Sequence, residues 1–219
     1  MATLRRSLGW LPALLVGVGA AVARAEEPAD RGISLSAWAG TAFDRSVAAS
    51  ETGRPLHDAA PMVGATGLGN IEQVAIGGAV DGTPGMLGDG RLSLSALAGY
   101  QPQIGAIRYQ LLGEAGGHRF TDVGGTLFAR KPGTQTWLPF AGLRLGAART
   151  YPAHSVGEVG IWMFGRYDIG QKTVANVSDF MGDETRTDYR VGGYMVGLAV
   201  QVGLRLESPH PWNQGVVMN

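Results

Sequence analysis

The stretch Tyr194-Met-Val-Gly-Leu-Ala-Val-Gln-Val-Gly-Leu-Arg-Leu206 decides the fold. Taking every second residue separates it into two rows. Tyr194, Val196, Leu198, Val200, Val202, Leu204 and Leu206 are all apolar or aromatic. Met195, Gly197, Ala199, Gln201, Gly203 and Arg205 form a mostly small or polar row. Side chains alternate between the two faces of a strand, so this is a long β-strand with one greasy face. Helical spacing would scatter both rows around a cylinder.

Working outward from this strand, alternation or strand-like composition recurs seven more times. It predicts strands at 33–43, 70–80, 91–100, 104–118, 121–130, 136–149 and 157–169 before the last at 194–206. The segments 44–69 and 170–187 are polar, rich in turn formers, and read as long loops. The segment 81–90 reads as a turn, Gln101-Pro102-Gln103 as a break, and Lys131-Pro-Gly-Thr134 as a tight turn. Eight is an even number, and each strand is near the roughly 9–11 residues a tilted strand needs to cross a bilayer. The two long loops are the first and seventh connections. Both fall on the outer side of a barrel whose amino terminus is periplasmic. The short third connection at Pro102 and the ten-residue turn from Asp81 do not fit that parity.

Composition narrows the class. Net charge is zero, so there is no electrostatic case for nucleic acid. There is no cysteine, which excludes disulfides and thiolate metal sites. Charged residues are 16% of the chain, against about 25% in a typical soluble domain, and the lysines are Lys131 and Lys172 alone. Glycine is abundant at 35 residues, roughly twice the usual share of about 7%. Strands with so few charges on either face point to a surface that meets lipid. The amino terminus agrees: Arg5-Arg6, an apolar run from Leu8 to Val22, then Ala23-Arg24-Ala25 before Glu26. This is the pattern of a secretory signal peptide cleaved after Ala25. The expected organisation is a signal peptide at 1–25, a periplasmic leader at 26–32, a β-barrel at 33–206 and a tail at 207–219.

Alternation alone leaves open which row faces inward. The mixed rows hold isolated charges of both signs, Arg108, Glu114, Arg144, Glu158, Arg166 and Asp168, with Arg205 on the last strand. Small residues sit between them. The interior of an eight-stranded barrel is only wide enough to be filled by side chains. Charges in so narrow a space must pair to offset desolvation. The expectation is therefore an inward network in which the arginines meet Glu114, Glu158 and Asp168, fill the lumen and fix strand register. Tyr100, Trp137, Tyr167 and Tyr194 lie near strand ends, where rings form interfacial girdles.

With this signal-peptide pattern, eight alternating strands and uneven loops, the chain resembles the small OmpA/OmpX-type outer-membrane barrels from Ile33 to Leu206. The resemblance implies an all-β, antiparallel up-and-down transmembrane barrel in the cell outer membrane. It also implies contact with outer-membrane lipid and with the barrel insertion machinery. Those barrels end on an aromatic residue. Here Leu206 is followed by Glu-Ser-Pro-His-Pro-Trp-Asn-Gln-Gly-Val-Val-Met-Asn219, and Gln201-x-Gly203-x-x-Leu206 keeps only part of the usual terminal pattern.

The expected role is non-enzymatic, structural or binding, exerted through the outer loops on an extracellular ligand or envelope partner. Asp179, Asp183 and Glu184 mark the contact surface by charge. Two alternatives stay open. One is a soluble periplasmic lipocalin-like carrier with the apolar rows lining a pocket. The other is a barrel enzyme acting on lipid A or phospholipid through Ser, His and an acid. The histidines are His57, His118, His154 and His210. His118 and Glu114 are about 13 Å apart along a strand, too far to bond directly. His154-Ser155 with Glu158 needs a turn to cooperate. Gly64-Ala-Thr-Gly-Leu-Gly69 has the wrong glycine order for a nucleotide loop. Asp81-Gly82 and Asp89-Gly90 read as plain turns and not as calcium ligands. No catalytic residue, metal site or cofactor is assigned.

Overall fold

A computed structural model describes residues 32–56, 58–83, 90–121, 123, 135–151, 156–180 and 183–207. Strands in chain order are β1 (Gly32–Asp44), β2 (Val47–Ala49), β3 (Ala59–Ile71), β4 (Val74–Thr83), β5 (Gly90–Tyr100) and β6 (Gln103–Ile104). They continue with β7 (Ile107–Thr121), β8 (Thr136–Tyr151), β9 (Val156–Asp168), β10 (Lys172–Phe180), β11 (Asp183–Val191) and β12 (Tyr194–Glu207). Eight of these close into a ring in the order β1-β3-β4-β5-β7-β8-β9-β12, every neighbour antiparallel. The last strand returns to the first, with register running from Gly32↔Glu207 to Asp44↔Met195. Closure leaves no exposed sheet edge, which is what lets strands sit in a medium that cannot hydrogen-bond.

The strand that opened the reading shows the orientation. All seven residues of its apolar row point outward, from Val196 at 47% exposed to Leu206 at 65%. Its other row is turned inward, with Met195, Ala199, Gln201 and Arg205 buried. Leu145, Leu198 and Val200 diverge into the surroundings, while Arg108 and Arg166 are 1% and 3% exposed. Large apolar side chains are exposed on each of the eight wall strands. Phe43, Trp137, Tyr167 and Tyr194 stand at one rim of this belt, Tyr100, Tyr109 and Tyr151 toward the other.

Several strand bounds differ from the sequence reading. The loop expected at 44–69 holds β3 in its second half. Its outward row, Ala59, Pro61, Val63, Ala65, Gly67, Gly69 and Ile71, has too many small residues to show as an apolar stripe. Among the described residues β4 pairs with β3 only from Val63 onward, so Pro61 lies beyond that ladder, where a missing amide donor is tolerated. The strand expected at 70–80 is two strands meeting in a tight turn, where Glu72 takes a left-handed φ of 54°. The segment 81–90 is not all turn, since Asp81 to Thr83 complete β4 and Gly90 starts β5. Gly105, with φ 60°, turns β6 into β7, so the strand expected from 104 begins at Ile107. The loop expected at 170–187 is mostly the β10–β11 hairpin. Among the described residues its apolar contacts are confined to Val174, Tyr189 and Val191 near the root, too short a row for periodicity to register. The strand expected at 121–130 and the turn at 131–134 lie, apart from Thr121 and Val123, outside the described residues.

These shifts remove the parity conflict. The connections after β1, β4, β7 and β9 lie at one end of the ring, and those after β3, β5 and β8 at the other. The Asp81 turn joins the long-loop end and Pro102 the short-turn end, as an outer-membrane barrel requires.

Candidate functional site

The candidate site is the filled lumen together with the outer-end sheet above it. Strand alternation sets which residues share a face, burial shows that the mixed rows enter the lumen, and ring closure dictates which of their residues meet. Glu114 on β7 pairs with Gly142 on β8, and Gly142 with Arg166 on β9, so acid and guanidinium lie along one row with a glycine between. Arg166 donates to both Glu114 oxygens, Nε to Oε2 at 2.9 Å and Nη2 to Oε1 at 2.8 Å. It also reaches β4 on the opposite wall, where Nη1 and Nη2 donate to Asp81 Oδ1 and Oδ2 at 2.7 and 2.5 Å. Arg144 donates from Nε and Nη2 to Glu114 at 3.1 and 2.5 Å, and from Nη1 across the lumen to Thr66 at 3.2 Å. Ser95 donates to Glu114 Oε1 at 2.6 Å.

Aromatic rings fill the rest of this middle layer. Trp38 meets Trp162 edge to face at 4.7 Å, and the Arg144 guanidinium lies 4.6 Å over Trp162. Small residues make the room. A Cβ on Gly64 would lie 2.6 Å from both Asp81 and Trp38, and one on Gly197 would lie 2.3 Å from the Phe164 ring. Below this layer come Leu68, Ala75, Leu97 and Leu112, all buried. Lower still, Arg108 and Glu158 form an ion pair at 2.6 Å.

Above it lies a second polar layer. Arg91 Nη1 donates to Asp44 Oδ2 at 2.7 Å and Ser46 Oγ at 3.0 Å. His118 Nδ1 is 2.8 Å from Ser93 Oγ, and its Nε2 is 3.4 Å from Asp168 Oδ1. Its ring stacks on Phe140 at 4.0 Å. Asp168 Oδ2 accepts from the Gly193 amide at 3.0 Å.

Of the six lumen residues named from sequence, Arg144 and Arg166 both bind Glu114, and Arg108 and Glu158 form their own pair. Asp168 stands apart with His118. Asp81, Arg91 and Asp44 escaped the sequence reading because they sit at strand ends next to turn formers. Asp81 was nevertheless visible as the end of an inward row, Ala75, Gly77 and Ala79, flanked by outward Val74, Ile76 and Val80. Asp179, Asp183 and Glu184 lie at the far end of the β10–β11 hairpin, where Asp179 pairs with Glu184 and Phe180 with Asp183.

Ser93, His118 and Asp168 have the residue types of a hydrolytic relay, but not its openness. Ser93 is 0% exposed and Phe140 covers the ring face. A nucleophile needs a substrate carbonyl beside it. Among the described residues no group of His, Cys, Asp and Glu could hold a metal ion.

No family model matches the chain, and no curated protein sequence does. Solved outer-membrane barrels share its fold. Neisserial surface protein A matches at TM-score 0.51 and 12% identity, over 79% of this chain and 96% of that one. The N-terminal β-barrel domain of Pseudomonas aeruginosa OprF matches at 0.48 and 13%, over 81% and 98%. The outer membrane protein OprG of the same organism matches at 0.43 and 13%, over 83% and 98%. The likeness to the neisserial protein concerns architecture: an eight-stranded antiparallel barrel spanning nearly the whole of that chain.

Proposed function

We propose that the chain is a non-enzymatic barrel of a bacterial outer membrane. Its lumen is plugged by charged side chains, and it acts through its outer loops, as a structural or a binding protein. One observation carries this reading: the apolar rows face outward all round the barrel while the guanidinium and carboxylate groups are buried inside. A dissolved protein with that surface would aggregate, since monomers seldom expose more than a few hundred Å² of continuous apolar patch. The soluble-carrier alternative needs the opposite arrangement. The lipid-enzyme alternative has residue types in its favour, but in this structure Ser93 and His118 are buried and Phe140 covers the imidazole face.

In this reading acyl chains of the outer membrane cover the belt, and the insertion machinery delivers the chain after a signal peptide at 1–25 is removed. Asp179, Asp183 and Glu184 at the hairpin end form the contact surface for an extracellular ligand or envelope partner. The test is purification in detergent followed by gel mobility with and without boiling, and conductance in a planar bilayer. A heat-dependent shift with conductance at the level of the bare bilayer is expected. Release by osmotic shock without detergent overturns the membrane assignment. A steady open conductance overturns the plug. Lipid A mass spectrometry in an expressing strain is expected to show no change.

A further inference from the structure

The three-stranded sheet at the outer end is not part of the barrel wall. Its order is β10-β11-β2, and it joins the wall through two different connections. β2 belongs to the β1–β3 connection, and the β10–β11 hairpin to the β9–β12 connection. Val47 and Val191 from this sheet share one buried apolar cluster with Phe120 and Leu138 from the ends of β7 and β8 and with Val123. Leu56, Val174 and Tyr189 close around that cluster. Phe120 in turn lies edge-on to His118, at 5.9 Å. The sheet therefore sits directly over the upper polar layer, in which Ser93 and His118 are 0% and 1% exposed.

We propose that this sheet is a lid over the outer mouth of the lumen, latched by Arg91 and turning on the glycines at the roots of the hairpin. Arg91 stands on β5 and grips Asp44 and Ser46, the corner from which β2 departs. Asp168 grips Gly193 at the other root. Gly170 and Gly192 hold φ of 105° and 117°, values that glycine adopts freely and other residues resist. A Cβ on Gly192 would lie 2.4 Å from the Gly170 carbonyl, so the two roots approach as closely as backbone allows. The contact beneath the lid is mainly apolar, one bond from Lys172 Nζ to the Trp137 carbonyl at 3.0 Å ties β10 to β8, and the lid strands pair with one another and with no wall strand. Such a unit opens by itself at far lower cost than the barrel. What it uncovers is the polar layer of Ser93, His118, Asp168 and Arg91, with Arg166 and Asp81 in the layer beneath. The lid thus decides whether a solute outside the cell meets polar groups in the upper lumen.

The chain has no cysteine, so one engineered thiol reports access without background. Ser93→Cys is made in the full chain, purified in detergent and treated with a cationic, water-soluble methanethiosulfonate. Gel mobility with and without boiling verifies a folded barrel in each sample, so a failed barrel is distinguished from a failed lid. Glu51→Cys, on an exposed outer residue, gives the rate for an open thiol. Slow labelling of Ser93→Cys is expected, rising roughly tenfold or more when Arg91→Gln is added to release the latch. Where that pair fails to fold, Val191→Ser replaces Arg91→Gln, loosening the underside of the lid while leaving the wall intact, with the same rise expected. Labelling of Ser93→Cys as fast as Glu51→Cys overturns the lid, because nothing then covers the mouth. So does an unchanged slow rate in a folded barrel carrying either second substitution.

Discussion

Asp81 is the residue on which the middle layer turns. It lies on the wall opposite β9 and completes the coordination of Arg166, which already holds Glu114. Removing one partner of a buried pair leaves the other charge without compensation. Asp81→Asn is expected to lower stability by about 3–5 kcal/mol, read from urea unfolding in detergent by tryptophan fluorescence. Adding Arg166→Met should recover part of that loss; no recovery would show that the effect is not electrostatic. Glycines give a second test at this scale. Gly165→Ala meets nothing within 4 Å and should be near neutral. Gly197→Ala drives a methyl into the Phe164 ring and should cost about 1–3 kcal/mol. Equal effects in the same unfolding assay would mean that Phe164 does not fill the space beside Gly197. Alternation in the sequence already puts Gly165 in an apolar row and Gly197 in a mixed one, and the Phe164 contact sets the cost at Gly197.

β12 makes its own prediction at the scale of the element. Val200 is near its middle and Leu206 near its end, both on the outward row. In lipid, Val200→Arg should cost about 2–4 kcal/mol and Leu206→Arg about 0–1 kcal/mol, measured by urea titration of folding into vesicles. Equal, small costs at both positions would mean the row faces water. β12 was legible because both of its rows are long and consistent. β3 was not, because Gly64, Ala65, Gly67 and Gly69 carry no hydropathy contrast, and its existence depends on two neighbours that pair with it. The β10–β11 hairpin was illegible for a related reason. Thr173, Val174, Thr187 and Tyr189 favour strands, but the polar residues between them look like loop because, among the described residues, only the root of the hairpin has a buried face.

For the whole molecule the prediction concerns the layered filling. The middle network and the Arg108–Glu158 pair lie at different heights, so loss of one leaves the other in place. Glu158→Gln is expected to leave bilayer conductance at its baseline, whereas Arg144→Ala, which opens the crowded middle, should raise conductance or destabilise the barrel. A variant of Arg144 with unchanged conductance and unchanged heat-modifiability would remove the middle network from any role as a plug. The sequence by itself determined the class of structure and which residues share a face, because a period of two is a local property of an extended chain. It put Arg108, Glu114, Arg144, Glu158, Arg166 and Asp168 on mixed rows expected to face inward. Only the tertiary structure decided who pairs with whom, that Asp81 belongs among them and that His118 takes Asp168 from the arginines. It also decided that a separate sheet covers the mouth. Those contacts cross the ring from wall to wall, and closure brings together residues whose distance along the chain carries no trace of it.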